Sequence, residues 1–124
     1  MNAPIALLSL APFVGVFEGT LTYGSDSHAA VIQIESDGGK LKAQYCKRGG
    51  RNCRALDDIV VDRNHILATL TYENPAQAPS NGTAMYRTLV SLDLSADGRT
   101  LTGIAFSTKC NCAPSLSLTR RTSP

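Results

Sequence analysis

The side chains of this protein best suited to covalent or metal-binding chemistry are those of its four cysteines. Cys46 and Cys53 bracket the stretch YCKRGGRNCR, and Cys110 and Cys112 form a second pair in KCNC. Thiols in such pairs can form disulfides, hold a metal ion or remain free. Which of these applies bears on the compartment in which the protein works and on the use of one end of its fold.

The spacing of the cysteines favours a disulfide over a metal site. Structural zinc sites usually pair cysteines as C-x₂₋₄-C, whereas the spacings here are C-x₆-C and C-x-C. Cys46 and Cys53 end neighbouring antiparallel strands in the interpretation below, where Cα separations suit a bridge. Closing that short loop would stabilise the fold by about 2–3 kcal/mol. Cys110 and Cys112 would form a strained ring, so they are predicted to be thiols or a labile redox pair.

Free thiols and a metal site remain as alternatives for these cysteines, because cytosolic thiols normally stay reduced. The prediction is nevertheless a disulfide that involves Cys46, with no bound metal and no other cofactor.

A cluster of bases lies in and beside the first cysteine loop. Lys47, Arg48, Arg51 and Arg54 carry four positive charges, while the net charge of the chain is +2, so the remainder is slightly acidic. One interpretation is a solvated loop tip. The other is an anion-attracting rim, in which glycines 49 and 50 leave backbone N–H groups open beside the bases. No aromatic residue interleaves with the bases, so no nucleic-acid partner is predicted.

Catalytic constellations are not evident in the sequence. Neither G-x-S-x-G nor H-E-x-x-H occurs, and His28 and His65 fall at opposite ends of the predicted fold. Asp57 and Asp58 are adjacent strand residues, which normally point to opposite faces and cannot act as a carboxylate pair. The chain is therefore predicted not to be an enzyme.

The elements that must position these residues are strands. β-Branched residues, alternating hydrophobicity and Gly/Asp/Asn punctuation recur every ten to fifteen residues, a pattern typical of an all-β protein. Eight strands are predicted, at residues 16–23, 28–36, 40–46, 53–62, 65–73, 83–94, 99–109 and 114–121.

The connections between these strands predict a closed barrel. Tight-turn chemistry follows strands two, four and six, at residues 37–39, 63–64 and 96–98, whereas looser loops follow strands one, three, five and seven. In an antiparallel up-and-down meander all the tight turns would lie at one end. A single domain over residues 1–124 is therefore expected to be an eight-stranded antiparallel barrel with a shut end and an open rim.

Alternation along the strands predicts which side chains face inward, although strands four, six and seven are ambiguous. Tyr23, Tyr45 and Tyr72 share the inward parity and lie toward the open rim by position. Together with Lys47, Arg48 and Arg51 they are the candidate ligand-binding residues. The other predicted inward residues are Phe17, Leu21, Ala30, Ile32, Ile34, Leu41, Ala43, Ile66, Ala68, Leu70, Leu116 and Leu118.

The first 14 residues are apolar and are predicted to pack on the barrel, with a short helix or turn over residues 5–10. A signal peptide would carry an early positive charge, but the first charged side chain is Glu18. Pro4 and Pro12 interrupt the segment, which is also short for a membrane span. A cytoplasmic location is therefore predicted, with export as the alternative if the cysteines are disulfide-bonded.

The pattern resembles the calycins, the lipocalin-like small β-barrels. Those proteins carry Gly-x-Trp at the start of strand one, after a short helical turn, and an arginine late in the last strand. Here the matching positions are Gly15-Val16-Phe17 and Arg120 or Arg121, with Phe17 in place of the tryptophan. Arg120 is the favoured candidate, because it shares the inward parity of Leu116 and Leu118. The resemblance implies an arginine over the Phe17 ring, worth about 0.5–1 kcal/mol if exposed, and a ligand-binding habit.

The function predicted from the sequence is a monomeric binding module for a small apolar ligand that enters at the rim. One alternative is a cavity-free structural or protein-interaction domain that acts on a protein partner through its loops. A second alternative is a cysteine-based metal or redox site at the rim.

Overall fold

Eight antiparallel strands close into a barrel. The computed structural model describes residues 10–74, 84–108 and 111–122. In these ranges the strands pair in sequence order, and β1 also pairs with β8. The predicted all-β up-and-down barrel is therefore confirmed. The strands are β1 (Gly15–Tyr23), β2 (Asp26–Asp37), β3 (Lys40–Lys47), β4 (Arg51–Asp62), β5 (His65–Asn74), β6 (Ala84–Leu94), β7 (Thr100–Ser107) and β8 (Ser115–Arg120).

Three short turns lie at one end of the barrel, as predicted, and join β2 to β3, β4 to β5 and β6 to β7. In the last of these, Asp97 accepts hydrogen bonds from the Ser95 hydroxyl at 2.6 Å and from the Arg99 backbone N–H at 3.0 Å. These hydrogen bonds lower the pKa of Asp97, the Ser95 hydroxyl contributing most.

The connection from β1 to β2 is tighter than the sequence suggested. Tyr23 pairs with Asp26, so that Gly24 and Ser25 alone form the turn. The prediction of a loose loop over residues 24–27 was wrong, because Ser27 already belongs to β2 and pairs with Thr22. Glycine suits the turn, since Gly24 has a φ of 61°.

Inward side chains from all eight strands fill the barrel. All the predicted inward residues of β2 and β8 are buried, as are Phe17, Ala43, Ile66, Ala68 and Leu70. Leu21, Leu41 and Tyr45 are partly buried and pack against the same core. Burying a large apolar side chain stabilises a fold by about 1.5–3 kcal/mol, so this alternation is a major source of stability.

Pairing between strands settles the parity that was ambiguous in β7 and β4. In β7, Leu101 and Ala105 face the core, whereas Ile104 and Phe106 lie on the outer surface. In β4 a bulge shifts the alternation, because Asp57 pairs with Thr69 but Val60 pairs with Leu67.

The bulge in β4 changes the placement of the two acidic residues. Asp58 has a φ of 52°, and the inward positions around it are Leu56 and Ile59. Both aspartates therefore lie between two inward positions and line one cleft. The prediction that Asp57 and Asp58 face opposite sides was wrong, since a bulge breaks the period of two.

A 3₁₀ turn at Ala11–Phe13 closes the end of the barrel that carries the short turns, and Phe13 is fully buried there. The predicted helical turn over residues 5–10 lies outside the described residues except for Leu10. Packing of the N-terminal segment is thus seen for its last residues, and the predictions for residues 1–9 are not addressed by the structure.

Arg120 holds this closed end together. Its guanidinium carbon lies 4.5 Å from the centre of the Phe17 ring. The same side chain donates hydrogen bonds to the carbonyls of Gly98 at 2.9 Å, Val14 at 2.5 Å and Pro12. The predicted placement of Arg120 over Phe17 is confirmed. One arginine therefore ties the 3₁₀ turn, the start of β1 and the β6–β7 turn to one another.

Glycine is required at position 15 by the same arrangement. Gly15 has a φ of 148°, and a Cβ there would lie 2.4 Å from the Nη1 atom of Arg120. Any side chain at position 15 would displace the guanidinium. The Gly-x-aromatic pattern and the late arginine are thus parts of one packing unit.

Candidate functional site

The candidate tyrosines lie at different levels of the barrel. Tyr23 ends β1 and is 53% exposed. Tyr45 is half-buried and pairs with Ile32, deep within β2, because β3 pairs only with the second half of β2. The side chain of Tyr72 lies outside the described part of the chain. The structure therefore does not group Tyr23 and Tyr45 around one opening.

Cys46 and Cys53 form a disulfide, as predicted. Their Cα atoms are 4.1 Å apart, at a point where the β3–β4 register shifts between Tyr45 and Lys47. Asn52, with a φ of 53°, precedes Cys53 on the irregular side. Cys46 is fully buried beside Val31, its cross-strand neighbour in β2. Neither residue belongs to the core inside the barrel.

The loop closed by this disulfide folds against the outside of the barrel. A 3₁₀ turn at Arg48–Gly50 follows β3, and a Cβ on Gly50 would lie 3.6 Å from the Gln33 side chain on the outer face of β2. This covering loop explains why Val31 is buried despite its outward parity. The predicted anion-attracting bases therefore lie on the outer wall, and Tyr45 lies on the inner one.

A surface pocket of about 450 Å³ lies within this loop and is lined by Lys47, Arg48, Gly49, Arg51 and Asn52. Gly49 and Gly50 have φ values of 71° and 74°. Turns built from residues in such conformations can direct backbone N–H groups toward one concave side, an arrangement that favours anions. The pocket thus combines three bases with a backbone suited to negative charge.

The second cysteine pair is described only in part. Cys112 is disulfide-bonded, so the free thiol that was one prediction for it is wrong. Its backbone forms an isolated antiparallel β-bridge with that of Ser107. Cys110 lies outside the described residues. Within the described ranges, no group of three or more His, Cys, Asp or Glu side chains is placed to hold a metal ion.

A second cleft opens in the barrel wall between β3 and β4, toward the closed end. The ladder between these strands stops at the Ala43–Leu56 pair, so Leu41 and Ile59 have no partner across it. The resulting cleft has a volume of about 620 Å³, and it is lined by Leu10, Gly39, Lys40, Leu41, Leu56, Asp57, Asp58, Ile59 and Val61.

The chemistry of this cleft is mixed. Leu41, Ile59 and Val61 are inward residues that pack on the core, so its floor is apolar. Asp57 and Asp58 place two carboxylates at its edge, with Lys40 on the opposite strand. The cleft therefore offers a small molecule both apolar contacts and charged groups, in a volume within the range of small-molecule sites.

A hydrogen-bonded chain of three side chains lies on the outer face of β5 and β6. The Nδ1 atom of His65 is 2.7 Å from the Oδ1 atom of Asp93, and its Nε2 atom is 3.0 Å from the Ser91 Oγ atom. The sequence alone does not indicate this chain. The Ser91-x-Asp93 spacing puts both on one face, but only the pairing of His65 with Asp93 brings the histidine to them.

Comparisons with protein-family models, curated proteins and solved structures find no match for this chain. Helices in the described ranges lack the length and apolar character needed to cross a membrane. Function must therefore be inferred from the geometry of these sites.

Proposed function

We propose that this protein is a small-ligand binding module whose site is the cleft between β3 and β4. The observation that carries the proposal is the gap where the β3–β4 ladder stops, since it exposes core side chains beside two carboxylates. The expected ligand is a small, largely apolar molecule with one cationic group. The Phe17–Arg120 packing supports a calycin-type barrel, whose members bind small molecules. A ligand would reach this cleft through the barrel wall and not through the rim predicted from the sequence.

Hexylamine is expected to bind in this cleft more tightly than hexanol, since the carboxylates of Asp57 and Asp58 attract an ammonium group. Amide chemical shifts of labelled protein, followed during each titration, should move at residues 39–42 and 56–61. The double variant Asp57→Asn/Asp58→Asn should weaken hexylamine binding roughly two- to thirtyfold at low salt and leave hexanol binding unchanged, given about 0.2–1 kcal/mol for each exposed ion pair.

Asparagine suits this test because it tolerates the positive φ of Asp58. Asp62→Asn is the matched control, since Asp62 ends the same strand and does not line the cleft. Shifts confined to the rim around Tyr23, or equal binding by the double variant, would contradict the cleft as the site.

A second candidate function is anion binding at the disulfide-closed basic loop, supported by the 450 Å³ pocket among Lys47, Arg48 and Arg51. Titration with inorganic phosphate should shift the amides of residues 47–53. Arg48→Gln and Arg51→Gln should each weaken binding roughly two- to fivefold, whereas Arg99→Gln, at the other end, should not. Reducing the Cys46–Cys53 disulfide should also weaken binding, because the loop loses its closure. Phosphate shifts spread over all basic residues would contradict a specific site.

The disulfide also bears on location. Disulfides persist mainly in oxidising compartments, so the Cys46–Cys53 bridge supports export, the alternative to the predicted cytoplasmic location. The protein is proposed to bind its ligand as a monomer.

A further inference from the structure

The chain formed by Ser91, His65 and Asp93 has the connectivity of a hydrolytic triad. A hydroxyl lies within hydrogen-bond reach of one imidazole nitrogen, and a carboxylate lies within reach of the other. If Nδ1–H donates to Asp93, Nε2 is left as the acceptor for the Ser91 hydroxyl proton. That tautomer is the one in which a histidine can activate a serine, and the arrangement recurs on unrelated folds.

The barrel wall holds these three side chains rigidly. His65 pairs with Asp93, and Leu67 pairs with Ser91, so the register of the β5–β6 ladder sets the spacing of all three. Their neighbours Ile66 and Leu92 are buried in the core. The His65 side chain is 37% exposed, and Ser91 is half-buried, so solvent and small molecules can reach both. Sites built on strands are held more precisely than sites on loops.

An exposed apolar surface adjoins the serine. Ser91 pairs with Ile104 on β7, and Leu89 pairs with Phe106 one step along the same face. All three apolar side chains are large and exposed, between 36% and 44%. Together with Leu67 on β5 they form an apolar patch around Ser91. A short acyl chain placed on this patch would bring its carbonyl carbon to the serine.

We propose that Ser91, His65 and Asp93 form an acyl-transfer site for small activated esters. The Ser91 oxygen attacks the ester carbonyl while His65 accepts its proton. The tetrahedral intermediate then expels the alcohol, which takes that proton from His65, and an acyl-serine remains. Water then attacks the acyl-serine while His65 takes one of its protons. The second tetrahedral intermediate expels the Ser91 oxygen, which takes that proton back from His65, and the carboxylic acid leaves. Asp93 orients the imidazole and stabilises its protonated form.

The sheet limits the substrates of this site. Backbone N–H groups that would stabilise an oxyanion in other hydrolases belong here to the β5–β6 and β6–β7 ladders. Loss of such a donor costs about 10²–10³ in rate. The site is therefore suited to esters with good leaving groups, such as aryl esters of short fatty acids, and not to amides.

The test is hydrolysis of p-nitrophenyl butyrate, with mass mapping after brief incubation with a fluorophosphonate. Wild-type protein should release p-nitrophenol above the buffer rate and carry the adduct on Ser91. Ser91→Ala should return the rate to that of buffer, and His65→Gln should lower it about 100-fold. Asp93→Asn should lower it less while the fold is kept.

Matched controls separate this site from simple imidazole chemistry. Ser115→Ala changes another serine of the outer surface, next to Ile104 in the β7–β8 ladder, and His28→Gln removes the other histidine of the chain. Neither should alter the rate. Absence of a Ser91 adduct, or a rate unchanged in Ser91→Ala, would overturn the proposal and would leave the binding function of the β3–β4 cleft untouched.

Discussion

Phe17→Ala is expected to lower the free energy of unfolding by about 3–5 kcal/mol, as for other large-to-small substitutions of buried aromatic residues. Phe17 is fully buried and lies beneath the Arg120 guanidinium. Its loss would leave a cavity at the closed end that the arginine, fixed by three backbone carbonyls, cannot fill. Urea unfolding followed by circular dichroism measures the change. Phe106→Ala is the control, since that phenylalanine is partly exposed on the outer face and should cost far less.

Substitution of the two neighbouring arginines tests the same unit. Arg120→Ala should lower stability by about 2 kcal/mol or more, because it leaves carbonyls of the closed end without their charged donor. Arg121→Ala should cost less, since among the described residues its side chain contacts Glu18 in an exposed ion pair at 2.9 Å. Phe17→Ala and Arg120→Ala should be non-additive, as expected for groups in contact. Equal, small effects of the two arginines would contradict the role assigned to Arg120.

Gly103→Ala is expected to destabilise the protein by about 3 kcal/mol or more, at or beyond the upper end for overpacked sites. A Cβ at this position would lie 1.9 Å from the Ser91 carbonyl oxygen and 3.0 Å from the Leu92 Cα atom. Both contacts are with backbone, so β6 and β7 would have to separate and lose ladder hydrogen bonds. The glycine allows the close approach of the two backbones at this point of the barrel.

Thermal unfolding measures this effect, and the melting temperature should fall by more than about 10 °C. Gly19→Ala should behave similarly, since its Cβ would lie 2.0 Å from the Ser117 carbonyl oxygen across the β1–β8 pair. Thr102→Ala is the control, because Thr102 is exposed beside Gly103 on the same strand. A melting temperature for Gly103→Ala close to that of Thr102→Ala would show that the strands can move apart at little cost.

Acidification is expected to lower the stability of the protein slightly through Glu18, which lies in β1 and pairs with Arg121 after the end of β8. Its hydrogen bonds with Arg121 lower its pKa below the usual value. A carboxylate with a lowered pKa stabilises the folded state above its ordinary pKa and loses that contribution as the pH falls. The carboxylate is exposed, so this effect is a minor one beside the loss of Phe17 or the crowding at Gly103.

Much of the fold follows from local patterns in the sequence. Alternation along β2 and β8 predicts which side chains are buried, because successive strand residues face opposite sides whatever the partner strand is. Turn residues at 37–39, 63–64 and 96–98 predict the closed end, because the tolerance of Gly, Asn and Asp for positive φ is also a local property. The Cys46–Cys53 bridge is also predictable, since it joins the ends of neighbouring strands.

The candidate sites depend on the tertiary structure. The β4 bulge at Asp58 places two carboxylates on one cleft, and nothing in the residues 56–59 alone signals an extra residue in the ladder. The basic loop lies on the outer wall, where Gly50 approaches the Gln33 side chain of β2. Ser91, His65 and Asp93 meet only through the β5–β6 register. Side-chain alternation is a property of one strand, whereas bulges, coverage and register depend on pairing with another, which only the folded barrel decides.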